Sequence, residues 1–245
     1  MDWITPNWLA PTWIKAVSTT RKGGVSHAPF DSLNLGDHVG DDKDRVAANR
    51  QILMDTMSMP TSPAWLNQVH GTDVVTLPLP SGAVPDADAS FTDVYGQVCI
   101  VMTADCLPVL FCNEEGTQVA AAHAGWRGLV NGVLEQTLSK FDEPGKVMAW
   151  LGPAIGPDAF EVGDDVREQF IAHYPDAKAA FKPQRDRWLA DIYLLARQRL
   201  MASGVTQIYG GEYCTVSAPE TFFSYRRENR TGRQASCIWI STECG

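Results

Sequence analysis

Val98-Cys99-Ile100-Val101-Met102, Val109-Leu110-Phe111-Cys112 and Gln118-Val119-Ala120-Ala121-Ala122 are three short apolar runs whose reading decides the fold. Continuous apolar runs of this length, rich in β-branched residues, are the pattern of strands buried on both faces. Directly after the third run, Trp126, Leu129, Val130, Val133, Leu134 and Leu138 recur at helical offsets, which predicts an amphipathic helix. His123-Ala124-Gly125 is then a strand-to-helix junction.

Outward from this centre, residues 41–59 open with Asp41-Asp42 as capping residues and carry Val46, Leu53 and Met57 at helical spacing, so a helix is expected. Trp65 to His70 and Val74 to Leu77 read as a strand pair bent at Gly71. The remainder predicts a strand at 147–151, helices at 164–174 and 190–203, and strands near 205–209, 213–216 and 236–241. Mixed order with several consecutive strands implies an α+β fold: a single domain over 1–245, sheet packed on sheet, helices outside.

The charge balance excludes one class of function. Against 20 lysines and arginines stand 29 acidic residues, a net charge of −9, which argues against general nucleic-acid binding because that needs a basic surface. At 44% hydrophobic and 20% charged residues the chain has globular composition. Its most apolar stretch, Val98 to Cys112, is broken by Asp105 and Pro108 and is too short to span a bilayer, so no membrane partner is expected. The opening Met1-Asp2-Trp3-Ile4-Thr5-Pro6 lacks the pattern of a secretory signal, and the six cysteines include no C-x-x-C. Reduced thiols, a cytoplasmic location and a monomer or weak homodimer are the expectations.

Three residues stand out chemically. His70 ends Leu66-Asn67-Gln68-Val69-His70-Gly71, His123 ends Ala120-Ala121-Ala122-His123, and Cys106 lies just past Val101-Met102-Thr103-Ala104-Asp105. Strand ends beside glycine put side chains at the rim of a sheet. A thiolate and two imidazoles suit zinc, and three protein ligands leave the fourth tetrahedral position open. The competing reading is a small buried thiol and two satisfied core histidines, because no H-E-x-x-H is present. His173 reads as a helix-surface residue, whereas His27 and His38 flank a Gly- and Asp-rich stretch that fits either role.

Asn67-Gln68-Val69-His70-Gly71, Thr103-Ala104-Asp105-Cys106-Leu107-Pro108-Val109, His123-Ala124-Gly125-Trp126-Arg127-Gly128 and Leu151-Gly152-Pro153-Ala154-Ile155-Gly156 resemble the YfiH family. The likeness continues through Phe160-Glu161-Val162-Gly163 and Phe222-Phe223-Ser224-Tyr225-Arg226-Arg227 and spans nearly the whole chain. Members of that family are also called laccase-domain proteins, polyphenol oxidases or purine nucleoside phosphorylases. The resemblance implies a metal triad of His70, Cys106 and His123. It also implies zinc-dependent phosphorolysis of adenosine, inosine and 5′-methylthioadenosine to base and ribose 1-phosphate, with adenosine deamination.

Such chemistry needs an anion site and a proton shuttle. Gly125-Trp126-Arg127-Gly128 opens a helix, so Gly125 and Arg127 are candidates for phosphate, as are Arg21 and the basic segment holding Arg226, Arg227, Arg230 and Arg233. Asp105 and Glu161 are the acids in reach by sequence, and Trp126 is given no role. Two rival enzymes share the triad. One is a metal-independent Cys–His hydrolase or deamidase, peptidoglycan-directed activities included, with Cys106 as nucleophile. The other is a copper-dependent polyphenol oxidase, since two imidazoles and a thiolate also bind copper. A structural metal module would need a fourth ligand from Cys99, Cys112 or Cys214.

Overall fold

Residues 2–241 are described by a computed structural model. In chain order they form β1 (Trp3–Ile4), β2 (Ile14–Thr19), α1 (Lys43–Thr56), β3 (Val74–Thr76), β4 (Ala89–Thr92), β5 (Val98–Thr103), β6 (Leu107–Asn113) and β7 (Val119–Ala124). There follow α2 (Trp126–Asn131), α3 (Val133–Leu138), β8 (Val147–Leu151), β9 (Glu161–Val162), α4 (Asp164–His173), β10 (Phe181–Gln184) and β11 (Arg187–Ala190). The chain continues through α5 (Ile192–Ala202), β12 (Gln207–Gly210), α6 (Tyr225–Glu228) and β13 (Gln234–Ile240).

The strands make a six-stranded sheet, β12-β8-β6-β7-β4-β3, a four-stranded sheet, β1-β2-β13-β5, and a small β10-β11-β9 sheet. Pleating explains why the central runs are apolar at every position, because successive side chains enter different cores. On β6, Val109 and Phe111 pack with residues of α2, α3, α4 and α5, whereas Leu110 and Cys112 point into the core shared with the second sheet. On β5, Cys99 and Val101 enter that inter-sheet core, while Val98, Ile100 and Met102 join Leu53 of α1 on the far side. The architecture is thus α+β, two sheets face to face with helices on both outer surfaces. Asp42 caps α1 by accepting from the backbone N–H of Asp44 and Arg45.

Several expectations need correction. The helix over Trp126 to Leu138 is two short helices, because Gly132 adopts φ 99° between them; its apolar face is nevertheless continuous, with Leu129, Val130, Val133, Leu134 and Leu138 in one core. Trp65 to His70 is not a strand, and among the described residues it makes only the Asn67–Asp86 bridge. Gln68 shows why: its side-chain amide donates to the Met102 carbonyl at 2.8 Å and accepts from the Met102 N–H at 2.7 Å, replacing a backbone ladder. Residues 213–216 are likewise irregular, since Tyr193 Oη and Arg227 Nη1 donate to the carbonyls of Tyr213, Thr215 and Val216. β3 instead pairs in parallel with β4, which sequence periodicity did not reveal.

Five cysteines, 99, 106, 112, 214 and 237, are free, and Cys244 lies outside the described residues. Among the described residues no helix is long and apolar enough to cross a membrane.

The two-sheet core carries a stability prediction. Leu110 is fully buried at the centre of the inter-sheet layer, so Leu110→Ala is expected to lower unfolding free energy by about 2–5 kcal/mol. Leu9, 77% exposed, should tolerate alanine within about 0.5 kcal/mol. Urea denaturation of both variants checks the contrast; equal losses would contradict the assigned core.

Candidate metal centre

His70, Cys106 and His123 come from a loop, the β5–β6 turn and the end of β7, and their donor atoms lie within 4.8 Å of one another. Cys106 Sγ is 3.8 Å from His70 Nε2, and the two imidazole rings are 4.8 Å apart at 75°. Donor atoms on one tetrahedral zinc are about 3.5 Å apart, so the trio fits a single ion after small side-chain adjustment. Burial is graded from the buried His123 through half-buried Cys106 to exposed His70, which leaves one side of the centre open.

Local backbone geometry makes this convergence possible. His70 has φ 61° and Asp105, just before Cys106, has φ 92°, conformations that are strained for residues bearing a side chain. Both are held from outside. Asp105 Oδ1 accepts from Thr215 Oγ1 and Oδ2 from the Arg226 N–H, each at 2.6 Å. His70 is held by Asp88, a residue that sequence reading missed. The Asp88 carboxylate is fully buried and accepts from the backbone N–H of Val69, His70 and Gly71 at 3.2, 3.0 and 2.6 Å. It also meets His123 Nδ1 at 2.7 Å. The imidazole Nδ1–H is thereby committed to a carboxylate, and Nε2 is presented to the centre.

Gly125 forms the floor. A Cβ there would sit 2.8 Å from His70 Cδ2 and 3.1 Å from Cys106 Sγ, so only glycine lets both donors approach. Electrostatics sharpens the site. Burial alone would raise the Cys106 pKa, but His123 and His70 outweigh it and bring the thiol down to about 6. Burial would lower His123, yet Cys106 and Asp88 raise it to about 9. Asp88 is likewise held below the usual carboxylate range, His123 and the loop N–H groups overcoming its burial.

Above the donors lies a cavity of about 360 Å³ whose wall includes His38, Gln68, Thr103, Tyr225 and Arg233. Most of the arginines expected near the site are engaged elsewhere. Arg21 bonds the Asp31 and Pro219 carbonyls and Glu228, and lies over the Phe223 ring. Arg227 Nη1 and Nη2 donate to the carbonyls of Thr215, Val216 and Phe222. Arg226 donates to the Glu161 carbonyl, Arg230 to that of Gly40, and exposed Arg127 stacks on Trp126. Glu161 is exposed and faces Arg187 at 3.6 Å. Both oxygens of Asp105 hold structure. His27 and His173 are exposed and line no part of this cavity, whereas His38 does.

The profile of the family described as multi-copper polyphenol oxidoreductase laccase matches residues 15–241. The chain belongs to this family. Among similar family members is the Escherichia coli protein called purine nucleoside phosphorylase YfiH, 58% identical over 97% of this chain and 98% of that protein. A Haemophilus influenzae protein called purine nucleoside phosphorylase is 54% identical over 98% of this chain and 100% of its own. The crystal structure of Neisseria meningitidis protein NMB0706 shares the fold at TM-score 0.95 and 51% identity, covering 98% of this chain and 100% of that one. That of YlmD from Geobacillus stearothermophilus gives TM-score 0.87 and 31% identity, over 98% and 97% of the two chains.

Two expected outcomes follow from the centre. Asp88→Asn should weaken zinc binding by about 10–100-fold, read by competition with a chromophoric chelator. Labelling of Cys106 by iodoacetamide in chelator-treated protein, followed by peptide mass spectrometry, should rise through pH about 6, and zinc should suppress it. Labelling that begins only near pH 9 would contradict the imidazole-stabilised thiolate.

Proposed function

We propose that the chain is a zinc-dependent purine nucleoside phosphorylase that converts adenosine, inosine and 5′-methylthioadenosine with phosphate into free base and ribose 1-phosphate, and that it also deaminates adenosine. The observation that carries the reading is a three-donor centre, open on one side, at the floor of a cavity of about 360 Å³. That volume lies in the range of small-ligand pockets. The purine specificity is drawn from the relatives whose names record it.

His70 and His123 would hold zinc through Nε2 and Cys106 through Sγ. Zinc so held would supply Lewis acidity and would activate water near neutral pH. The chain's own residues do the rest. Asp88 fixes the His123 ring, and Gly125 makes room for the donors. Gln68, locked to Met102, shapes the adjoining wall. Tyr225, 55% exposed at the cavity mouth, offers an aromatic face to an incoming base. Asp105 acts in this scheme as a positioning residue rather than as a proton shuttle, because both of its oxygens already accept. Copper-oxidase chemistry of the multi-copper kind has little to build on: the chain has five histidines, and one group of three metal-donor residues occurs among the described residues.

A second reading is favoured by one observation. Asp88, His123 and Cys106 are arranged as carboxylate, imidazole and low-pKa thiol, the relay of a cysteine hydrolase. Chelation separates the two. Zinc-loaded protein given inosine and phosphate should release hypoxanthine and ribose 1-phosphate, and chelator should abolish this. His70→Ala should reduce turnover by at least about 100-fold, since a lost ligand removes metal rather than one contact. Chelator-resistant turnover that survives His70→Ala but not Cys106→Ala would favour the hydrolase.

A further inference from the structure

Arg233 is the arginine in the wall of the cavity above the metal donors. Its position is built. β13 pairs with β5 so that Gln234 stands opposite Thr103, and Arg233, one residue earlier, leaves the sheet at the same end. Its N–H donates to Asn34 Oδ1 at 2.9 Å, and its stem packs so closely on Gly36 that a Cβ there would lie 2.7 Å from Arg233 Cγ. Nη1 donates to the carbonyls of Thr231 and Gly232 at 3.1 and 3.0 Å. The guanidinium is thus anchored by its stem and one amino group, and the described residues offer no hydrogen-bond partner to Nε or Nη2.

A second, independent observation lies in the same cavity. Thr103 is 2% exposed, lines the wall, and its Oγ1 has no hydrogen-bond partner among the described residues. A buried hydroxyl left unpaired is costly, so a small side-chain rotation that brings it to a group entering the cavity is favoured. Strand alternation puts Thr103 on the face of β5 that carries Cys99 and Val101, and His123 on the face of β7 that carries Val119 and Ala121; both faces border the inter-sheet core. The cavity therefore joins a desolvated cation, an orphaned hydroxyl and the metal donors. Cys106 and Asp105 lie close enough to act on Arg233 electrostatically, and an incoming anion would partner the Nε and Nη2 that the described residues leave free.

We propose that Arg233 and Thr103 form the subsite that holds the phosphate co-substrate, with Nε and Nη2 donating to phosphate oxygens and the Thr103 hydroxyl donating to a third. The identity of the anion rests on the phosphorolysis reading above; the subsite rests on its own geometry. The nucleoside then occupies the remainder of the cavity, towards Tyr225.

The test uses zinc-loaded protein. Inorganic phosphate is titrated calorimetrically, and KM values for phosphate and inosine are measured separately. Arg233→Lys keeps the charge but loses the fork, and should weaken phosphate binding and raise its KM by about tenfold or more. Thr103→Val, which removes a hydroxyl without a protein partner and so should leave the melting temperature intact, is expected to weaken phosphate by about threefold. The KM for inosine should stay within about twofold in both. Unchanged phosphate affinity in both variants overturns the subsite. Phosphate binding that vanishes with zinc yet ignores Arg233→Lys also overturns it, assigning the anion to the metal. Arg233-dependent phosphate binding by a protein that splits no nucleoside supports the subsite and overturns the phosphorolysis reading instead.

Discussion

One buried carboxylate organises the centre. Asp88 precedes β4, which pairs with β7 so that Ala89 faces Ala122, and its own carbonyl accepts the His123 N–H at 2.7 Å. Its side chain then reaches in two directions, to His123 Nδ1 and to the three successive N–H groups of Val69, His70 and Gly71. An isolated carboxylate in this dry interior would be costly, and four donors make it tolerable. The same four contacts fix the ring orientation of one metal donor and the left-handed backbone of another. Strand register, loop conformation and imidazole tautomer are therefore one event, and none of the three can be altered without the others.

The elements legible from sequence were those whose side chains face a core directly. β5, β6, β7, β8, α4 and α5 follow from apolar runs and helical spacing, because two-sided burial makes their pattern strong. What stayed hidden depends on side chains doing the work of a strand partner. Gln68, Tyr193 and Arg227 satisfy distant backbone groups, so the segments they support carry no periodicity of their own. Asp88 was invisible for the same reason: nothing in Asp86-Ala87-Asp88-Ala89 marks it, and the partners of its side chain lie 17 to 35 positions away in the chain. Of the three donors, His123 near the end of β7 and Cys106 just before β6 stand where the apolar runs place strand ends, whereas His70 lies in an irregular loop, and it is the family resemblance that joins the three.

Arginine shows the limit most clearly. Gly-rich loops and runs such as Arg226-Arg227 look alike whether the guanidinium faces a ligand or a carbonyl. In the folded chain Arg21 and Arg227 are saturated by backbone oxygens and Glu228, and they brace the segment that also carries Tyr225. Arg233 differs only in what its neighbours leave unpaired. A cation's availability is a property of hydrogen-bond accounting across the whole fold, and proximity in sequence does not report it.

The two chemical readings of Cys106 use overlapping atoms, and His70 is what separates them physically. A thiol nucleophile needs an imidazole partner and a carboxylate to orient it, which His123 and Asp88 already provide. That relay does not require a second imidazole, although His70 helps to lower the thiol pKa. Yet His70 is placed at the cost of a strained φ, its N–H is tied to Asp88, and its ring lies over a glycine that admits no side chain. Its Nε2 is directed at the thiol from the solvent side, 3.8 Å away, closing a triangle of three donors. Structural effort of that kind has a use when the three atoms share a cation, and the open face that remains lies towards the cavity where substrate must enter.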